Sequence, residues 1–234
     1  AETDYDVSYS DGCTNVGEYT ATVTFKGNYS GTATGTFNIT AKPLTSATIA
    51  TIADQTYSGN EIKPEPAVSI VLVTEAEATT LVKGTDFEYS YTNNTNVAAS
   101  TDTNAPTVTI TGKGNYSGTA TKTFSITTQT ITGATVTINP EANLVFDGTV
   151  KHPEVTKVAI AADGATGVSE KVFNPETDYD VSYSEGCTNV GEYTATVTFK
   201  GNYSGTATTT FNITAKPLTE ATIATIADPT YSGN

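Results

Sequence analysis

The chain has no tryptophan, no methionine and one histidine, His152, among 234 residues. A single histidine leaves no Ser/His pair and no histidine-based zinc site. Its two cysteines, Cys13 and Cys187, lie 174 residues apart, and there is no CxxC and no Cys/His cluster. Positive charge is scarce, with 11 Lys+Arg against 25 Asp+Glu and a net charge of -14. That balance argues against nucleic acid and anionic membranes as partners, because both need clustered Lys or Arg. No apolar run approaches the roughly 20 residues that a bilayer-spanning helix needs, so direct membrane insertion is not expected. What the chain has in excess is threonine, 50 residues of it, with Val, Ile and Tyr. Such a mixture suits half-buried strands.

The chain also repeats itself. Residues 1–60 and 175–234 differ at five positions only: Ala1/Pro175, Asp11/Glu185, Gly35/Thr209, Ser46/Glu220 and Gln55/Pro229. A weaker repeat sits inside this one. Gly27-Asn28-Tyr29-Ser30-Gly31 recurs at 114–118 and at 201–205, a spacing of 87 each time. The unit is therefore an 87-residue module in two alternating versions, A and B. Residues 1–41 are a partial B module, 42–128 a complete A module, 129–215 a complete B module and 216–234 a partial A module. The sequence opens and closes in mid-module, so a piece of a longer array is expected. Tail and head of two copies together fall short of one module, so strand exchange between copies would leave a gapped core.

The strand pattern is plain. Along 18–26, Tyr19, Ala21, Val23 and Phe25 alternate with Thr20, Thr22, Thr24 and Lys26. The first set is predicted to face a core and the second to face water. The Gly27–Gly31 loop then turns the chain into a second strand over 32–40, with Ala33, Gly35, Phe37 and Ile39 inward, which makes a hairpin. Further strands are expected near 5–9, 87–91, 134–138 and 155–160, and from Ile62 to Val73. Glu75-Ala76-Glu77-Ala78 offers one helical turn at most. The fold class expected is all-β, tandem Ig-like β-sandwich modules in a rod-like array. Ile39-Thr40-Ala41-Lys42-Pro43-Leu44 joins two modules with no Gly/Ser linker, and Pro43 biases Lys42 towards an extended shape, so bending should be restricted.

Residues 84–96 and 112–126 resemble the Ig-like repeats of large bacterial surface proteins. The shared pattern is a Gly-Thr-Asp-Tyr stretch, a Ser-Tyr-Asn-Asn turn, a Gly-x-Gly-Asn-Tyr-x-Gly hairpin and a closing Phe-x-Ile. Module B departs at the turn, where Glu185-Gly186-Cys187-Thr188 replaces Asn93-Asn94-Thr95, and has Phe199 where module A has Gly112. The resemblance implies an extracellular, cell-surface or fibre location and a spacer or adhesive role. Implied partners are further copies of the repeat, in cis or on neighbouring fibres, and a glycan or host surface ligand.

Few residues carry candidate chemistry. Tyr29, Tyr116 and Tyr203 recur in the hairpin and either pack over it or stack on a sugar ring. Asn-x-Ser/Thr triplets begin at Asn28, Asn38, Asn93, Asn115, Asn202 and Asn212, and are candidate glycosylation acceptors. Cys13 and Cys187 are either small side chains in a turn or partners in an intermolecular disulfide. The acidic pairs Asp4/Asp6, Asp86/Glu88 and Asp178/Asp180 invite a glycosidase reading, but their recurrence in every module reads better as a solvated strand face. His152 occupies the slot of Lys63 and reads as a surface substitution. No D-x-D-x-D-G loop marks calcium, and no convincing buried Lys/Asn/acid trio marks an isopeptide cross-link. No cofactor is expected. The function expected is a non-enzymatic stalk or fibre-shaft repeat. Its rivals are an adhesin repeat and an accessory module of a secreted polysaccharide-degrading enzyme.

Overall fold

A computed structural model describes residues 4–72, 77–139, 144–162 and 169–219, with Thr222, Ala224, Thr225, Ala227 and residues 229–231. The protein is all-β, with 47% strand and 1% helix. Two compact units divide the chain, Ala1–Gln129 and Thr130–Asn234.

Unit 1 opens with β1 (Tyr5–Tyr9), β2 (Gly17–Phe25) and β3 (Thr32–Ile39), an antiparallel sheet in the order β1-β2-β3. The register sets Tyr5 opposite Phe25 and Tyr19 opposite Phe37. After β4 (Lys42–Pro43) and one 3-10 turn (Leu44–Ser46), module A continues as β5 (Thr48–Ile49), β6 (Gln55–Thr56), β7 (Val68–Val71) and β8 (Ala78–Thr80). There follow β9 (Phe87–Thr92), β10 (Thr107–Gly112), β11 (Tyr116–Ser117), β12 (Thr119–Thr123) and β13 (Ile126–Thr127). Two antiparallel sheets result, β5-β7-β8 and β12-β10-β9. Leu44, Val68, Ile70, Leu81, Phe87 and Ile110 form one buried cluster that draws on both. Parallel two-residue pairs, β4 with β11 and β6 with β13, tie the start of the module to its end.

The expected strand from Ile62 is shorter than its apolar pattern suggests. Only Val68–Val71 is strand, while Val73, Glu75 and Ala76 lie outside the described residues. Pro64 and Pro66 have no N–H to give a ladder. Side chains hold this stretch instead. The Tyr91 hydroxyl donates to the Pro64 carbonyl at 2.9 Å, and the Tyr89 hydroxyl to that of Pro66.

Unit 2 repeats the plan. Thr130 closes β14 (Gln129–Thr130); then come β15 (Thr135–Ile138), β16 (Val155–Ile160) and β17 (Lys171–Val172), an antiparallel sheet. The second sheet holds β18 (Tyr179–Tyr183), β19 (Gly191–Phe199) and β21 (Thr206–Ile213), with β20 (Tyr203–Ser204) between the last two in sequence. Ala195, Val197, Phe199, Ala207, Phe211 and Ile213 are buried, as the alternation requires.

The same sequence behaves differently over 5–39. Ala33 and Gly35, read as inward-facing, are exposed, and Tyr19, Ala21, Val23, Phe37 and Ile39 are only half-buried. The strands and register match those of unit 2. What differs is the covering sheet: among the described residues none lies over this face as β15-β16-β17 lies over β18-β19-β21.

Candidate functional surface

The three Gly-Asn-Tyr-Ser-Gly hairpins sit in three environments. In unit 2, Tyr203 is buried, its ring 5.1 Å from that of Phe173 in an edge-on contact, with Lys171 Nζ 5.5 Å from the ring centre. Gly205 is at φ +106°, and a Cβ there would lie 2.7 Å from the Ile131 carbonyl oxygen, so only glycine fits. Tyr116 is half-buried and paired with Lys42 through β11 and β4. Tyr29 is exposed.

Asn115 carries a contact that the sequence does not announce. Its Oδ1 accepts the Val16 amide at 2.8 Å, and its Nδ2 donates to Asn15 Oδ1 at 2.9 Å. The Lys42 amide bonds the Asn115 carbonyl at 2.9 Å. Both faces of one hairpin residue are thereby engaged, one by the loop of residues 1–41 and the other by the strand that follows. A cavity of about 210 Å³ lies beside it, lined by Thr14, Val16, Ile39, Leu72 and Tyr116. Of the other asparagines, Asn28, Asn38, Asn93 and Asn212 are exposed and Asn202 is half-buried.

The turn after β9 and its counterpart in module B solve one problem with different residues. Asn93 takes a left-handed φ of +55°, and buried Asn94 brackets Ile62: the Ile62 amide reaches the Asn94 carbonyl at 2.8 Å, and Asn94 Nδ2 reaches the Ile62 carbonyl at 3.0 Å. In module B, Gly186 takes the left-handed position and the Cys187 carbonyl accepts the Lys151 amide at 2.7 Å. The buried Cys187 thiol donates to the Ser184 carbonyl at 2.9 Å. Cys13 is half-buried, and neither cysteine is in a disulfide.

Carboxylates recur with fixed partners. Asp6, Glu88 and Asp180 pair with Lys26, Lys113 and Lys200 at 2.6 to 2.8 Å. The Lys113 bond holds the Glu88 carboxyl below its usual range. Asp86 and Asp178 accept the backbone amides of Val82 and Asn174, closing the loop before each strand. Exposed pairs of this kind add little stability. Asp147 accepts from Lys151 at 2.6 Å and from Thr149, side chain and backbone, and its carboxyl is held well below the ordinary value of 3.8. No group of three His/Cys/Asp/Glu that could hold a metal exists among the described residues.

His152 is exposed, as expected of a surface substitution, and it also makes a ring contact. Its ring lies flat on Tyr183, 4.2 Å between centres and 6° between planes. The Tyr183 hydroxyl donates to the Pro153 carbonyl at 2.6 Å, as Tyr91 does to Pro64. Burial raises the pKa of both tyrosines. The sequence signal was a Pro one residue after Lys63 and after His152, with a Tyr in the matching later strand. In module A a groove of about 390 Å³ lies over this region, lined by Glu61, Lys63, Glu65, Lys83, Tyr89 and Tyr91.

Residues 1–43 match the MBG domain. This is a β-rich repeat domain of surface proteins, and the match supports a repeat module of that kind. Residues 175–217 differ from the MBG-matching segment at three positions only, Ala1/Pro175, Asp11/Glu185 and Gly35/Thr209, so the likeness bears on both copies. No curated protein and no solved structure matches the chain. No helix among the described residues is long and apolar enough to cross a membrane.

Proposed function

We propose that this chain is a stalk or fibre-shaft segment of an extracellular microbial surface protein, with no catalytic activity. The observation that carries this reading is the bracket at Asn115. A module end with no linker is bonded to the next module's hairpin through side chain and backbone, which is how a repeat resists bending. The near-identity of 1–60 and 175–234 adds to it, since recurrence at a fixed period supplies length. The conspicuous polar groups have structural partners: Asp86 and Asp178 close loops, Asp6, Glu88 and Asp180 pair with lysines, and the Tyr91 and Tyr183 hydroxyls hold prolines.

A second reading, an adhesin repeat, is favoured by one feature, the groove of module A with Tyr89, Tyr91 and mixed charge at its walls. A glycan array and a pull-down on the chain separate the two. The stalk reading expects no reproducible binding at about micromolar strength. Binding at that strength, abolished by Lys83→Ala in the groove or Tyr116→Ala in the hairpin, establishes the adhesin reading instead.

A further inference from the structure

Three Asp-Gly pairs occur in the chain, at 11–12, 147–148 and 163–164. Such a pair can close on itself, because glycine has no Cβ to shield its amide nitrogen from the preceding carboxyl. The pair at 163–164 lies outside the described residues. The other two share their backbone setting. Gly12 has a φ of +81° and Gly148 of +83°, and a Cβ built on either would meet nothing within 4 Å. What separates them is the carboxylate. Asp147 Oδ1 accepts the Thr149 amide at 2.9 Å and the Thr149 hydroxyl at 2.6 Å, and Oδ2 accepts from Lys151 Nζ at 2.6 Å. Both oxygens are thereby held, and the carboxyl is kept ionised, the form that gives up an oxygen less readily. Asp11 is exposed, and neither its carboxylate nor the Gly12 amide has a hydrogen-bond partner among the described residues.

The exposure of this turn does not depend on what precedes Ala1. The equivalent Glu185-Gly186 is exposed as well, with the covering half-module in place and the Lys151 amide bonded to the Cys187 carbonyl.

We propose that Asp11-Gly12, in the turn between β1 and β2, is a site of spontaneous isoaspartate formation in the folded chain, and that the bonds of the Asp147 loop spare Asp147-Gly148. The Gly12 nitrogen attacks Asp11 Cγ, the N–Cγ bond forms, and the acid hydroxyl leaves as water with the amide proton. A five-membered succinimide results. Water then adds to one of the two ring carbonyls and breaks its bond to nitrogen. Opening at the side-chain carbonyl restores aspartate. Opening at the main-chain carbonyl sends the backbone through Asp11 Cβ and Cγ, which is isoaspartate. Nothing is oxidised or reduced, and water is the only co-reactant. The product lengthens the turn by one carbon between Ser10 and Cys13, where the Cys13 thiol donates to the Ser10 carbonyl at 2.8 Å. The second copy is written differently. Glu185 stands in the place of Asp11, and its extra methylene demands a six-membered ring, which closes more slowly. Two nearly identical copies therefore age differently. This inference is independent of the stalk reading.

Heavy-oxygen water reads the reaction, because each succinimide that reopens takes one oxygen from solvent. The intact chain is held in it at neutral pH and then cut after lysine, which puts the three turns on separate peptides, residues 1–26, 123–151 and 172–200. Fragmentation locates the label. Residue 11 should take up heavy oxygen, and peptide 1–26 should split into two species of equal mass, one of them a substrate for protein isoaspartyl methyltransferase. Uptake at Asp147 should be about tenfold slower or more, since charge-assisted hydrogen bonds must break first. Asp11→Glu, the residue of the second copy, should abolish uptake at residue 11. In urea, Asp11 and Asp147 should converge on one rate. The proposal is overturned if residue 11 takes up no label, or if Asp147 or Glu185 matches it in the folded chain. It is also overturned if Asp147 stays as slow in urea, which would assign the difference to local sequence and not to the fold.

Discussion

The ring of Phe173 meets the ring of Tyr203 edge-on, 5.1 Å between centres and 85° between planes. Phe173 comes from the first half of module B and Tyr203 from the repeated hairpin of the second half. Phe199 of β19 lies 4.8 Å from the same Phe173 ring, so Phe173 packs on both the hairpin and the β18-β19-β21 sheet.

Phe173→Ala is therefore expected to destabilise unit 2 by about 3–5 kcal/mol, the usual cost of deleting a buried phenyl ring. Urea unfolding checks it, with the midpoint falling and the slope unchanged. Tyr29→Ala, in the exposed hairpin, should change stability by about 0.5 kcal/mol or less. Equal losses in the two variants would contradict the difference in packing described above.

Asn115→Ala removes the acceptor of the Val16 amide and the donor to Asn15. A local loss of about 1 kcal/mol is expected for an ordinary hydrogen bond. Amide exchange at Val16 should speed up while exchange at Ile110, in the core of module A, stays slow. Asn28→Ala, in the equivalent exposed hairpin, should leave both unchanged. An unaltered Val16 rate in Asn115→Ala would remove the bracket from the account.

Tyr183→Phe and Tyr91→Phe each delete one hydroxyl bond to a proline carbonyl. About 0.5–1.5 kcal/mol is expected for each, read from thermal or urea unfolding of the unit concerned. Because the two latches are equivalent, one variant with a normal midpoint beside one with a lowered midpoint would count against the equivalence.

The alternation was legible. Ala195, Val197 and Phe199 point inward because period-2 patterning leaves β19 no other way to bury them. The hairpin was legible from its glycines. The span from Ile62 was not, because Pro64 and Pro66 deny it a ladder and the bonds that replace it come from Tyr89, Tyr91 and Asn94, far along the chain. The Asn115 bracket was hidden for a similar reason. The pentapeptide is identical in all three hairpins, and its neighbours, not its sequence, decide what Asn115 touches. The burial of 179–213 follows from the same point: alternation names the side that wants cover, and residues of the preceding half-module, Ile138 and Leu144 among them, provide it.

The Asp147 loop gives a pH dependence with a definite sign. Hydrogen bonds from Lys151 and Thr149 hold the folded carboxyl below 3.8, so the charged form is favoured by folding. The stabilisation is present above the unfolded value and is lost as pH falls through the folded pKa. A carboxyl resonance titration should place the Asp147 midpoint below 3.8. Lys151→Gln should move it upwards. A midpoint at or above the ordinary value would show that the loop is open in solution.

The most direct test of the stalk reading is small-angle scattering from chains of one, two and three 174-residue periods. The stalk reading predicts that the largest dimension rises in proportion to the number of periods. Growth near the square root of that number, as for modules on flexible linkers, would contradict the account.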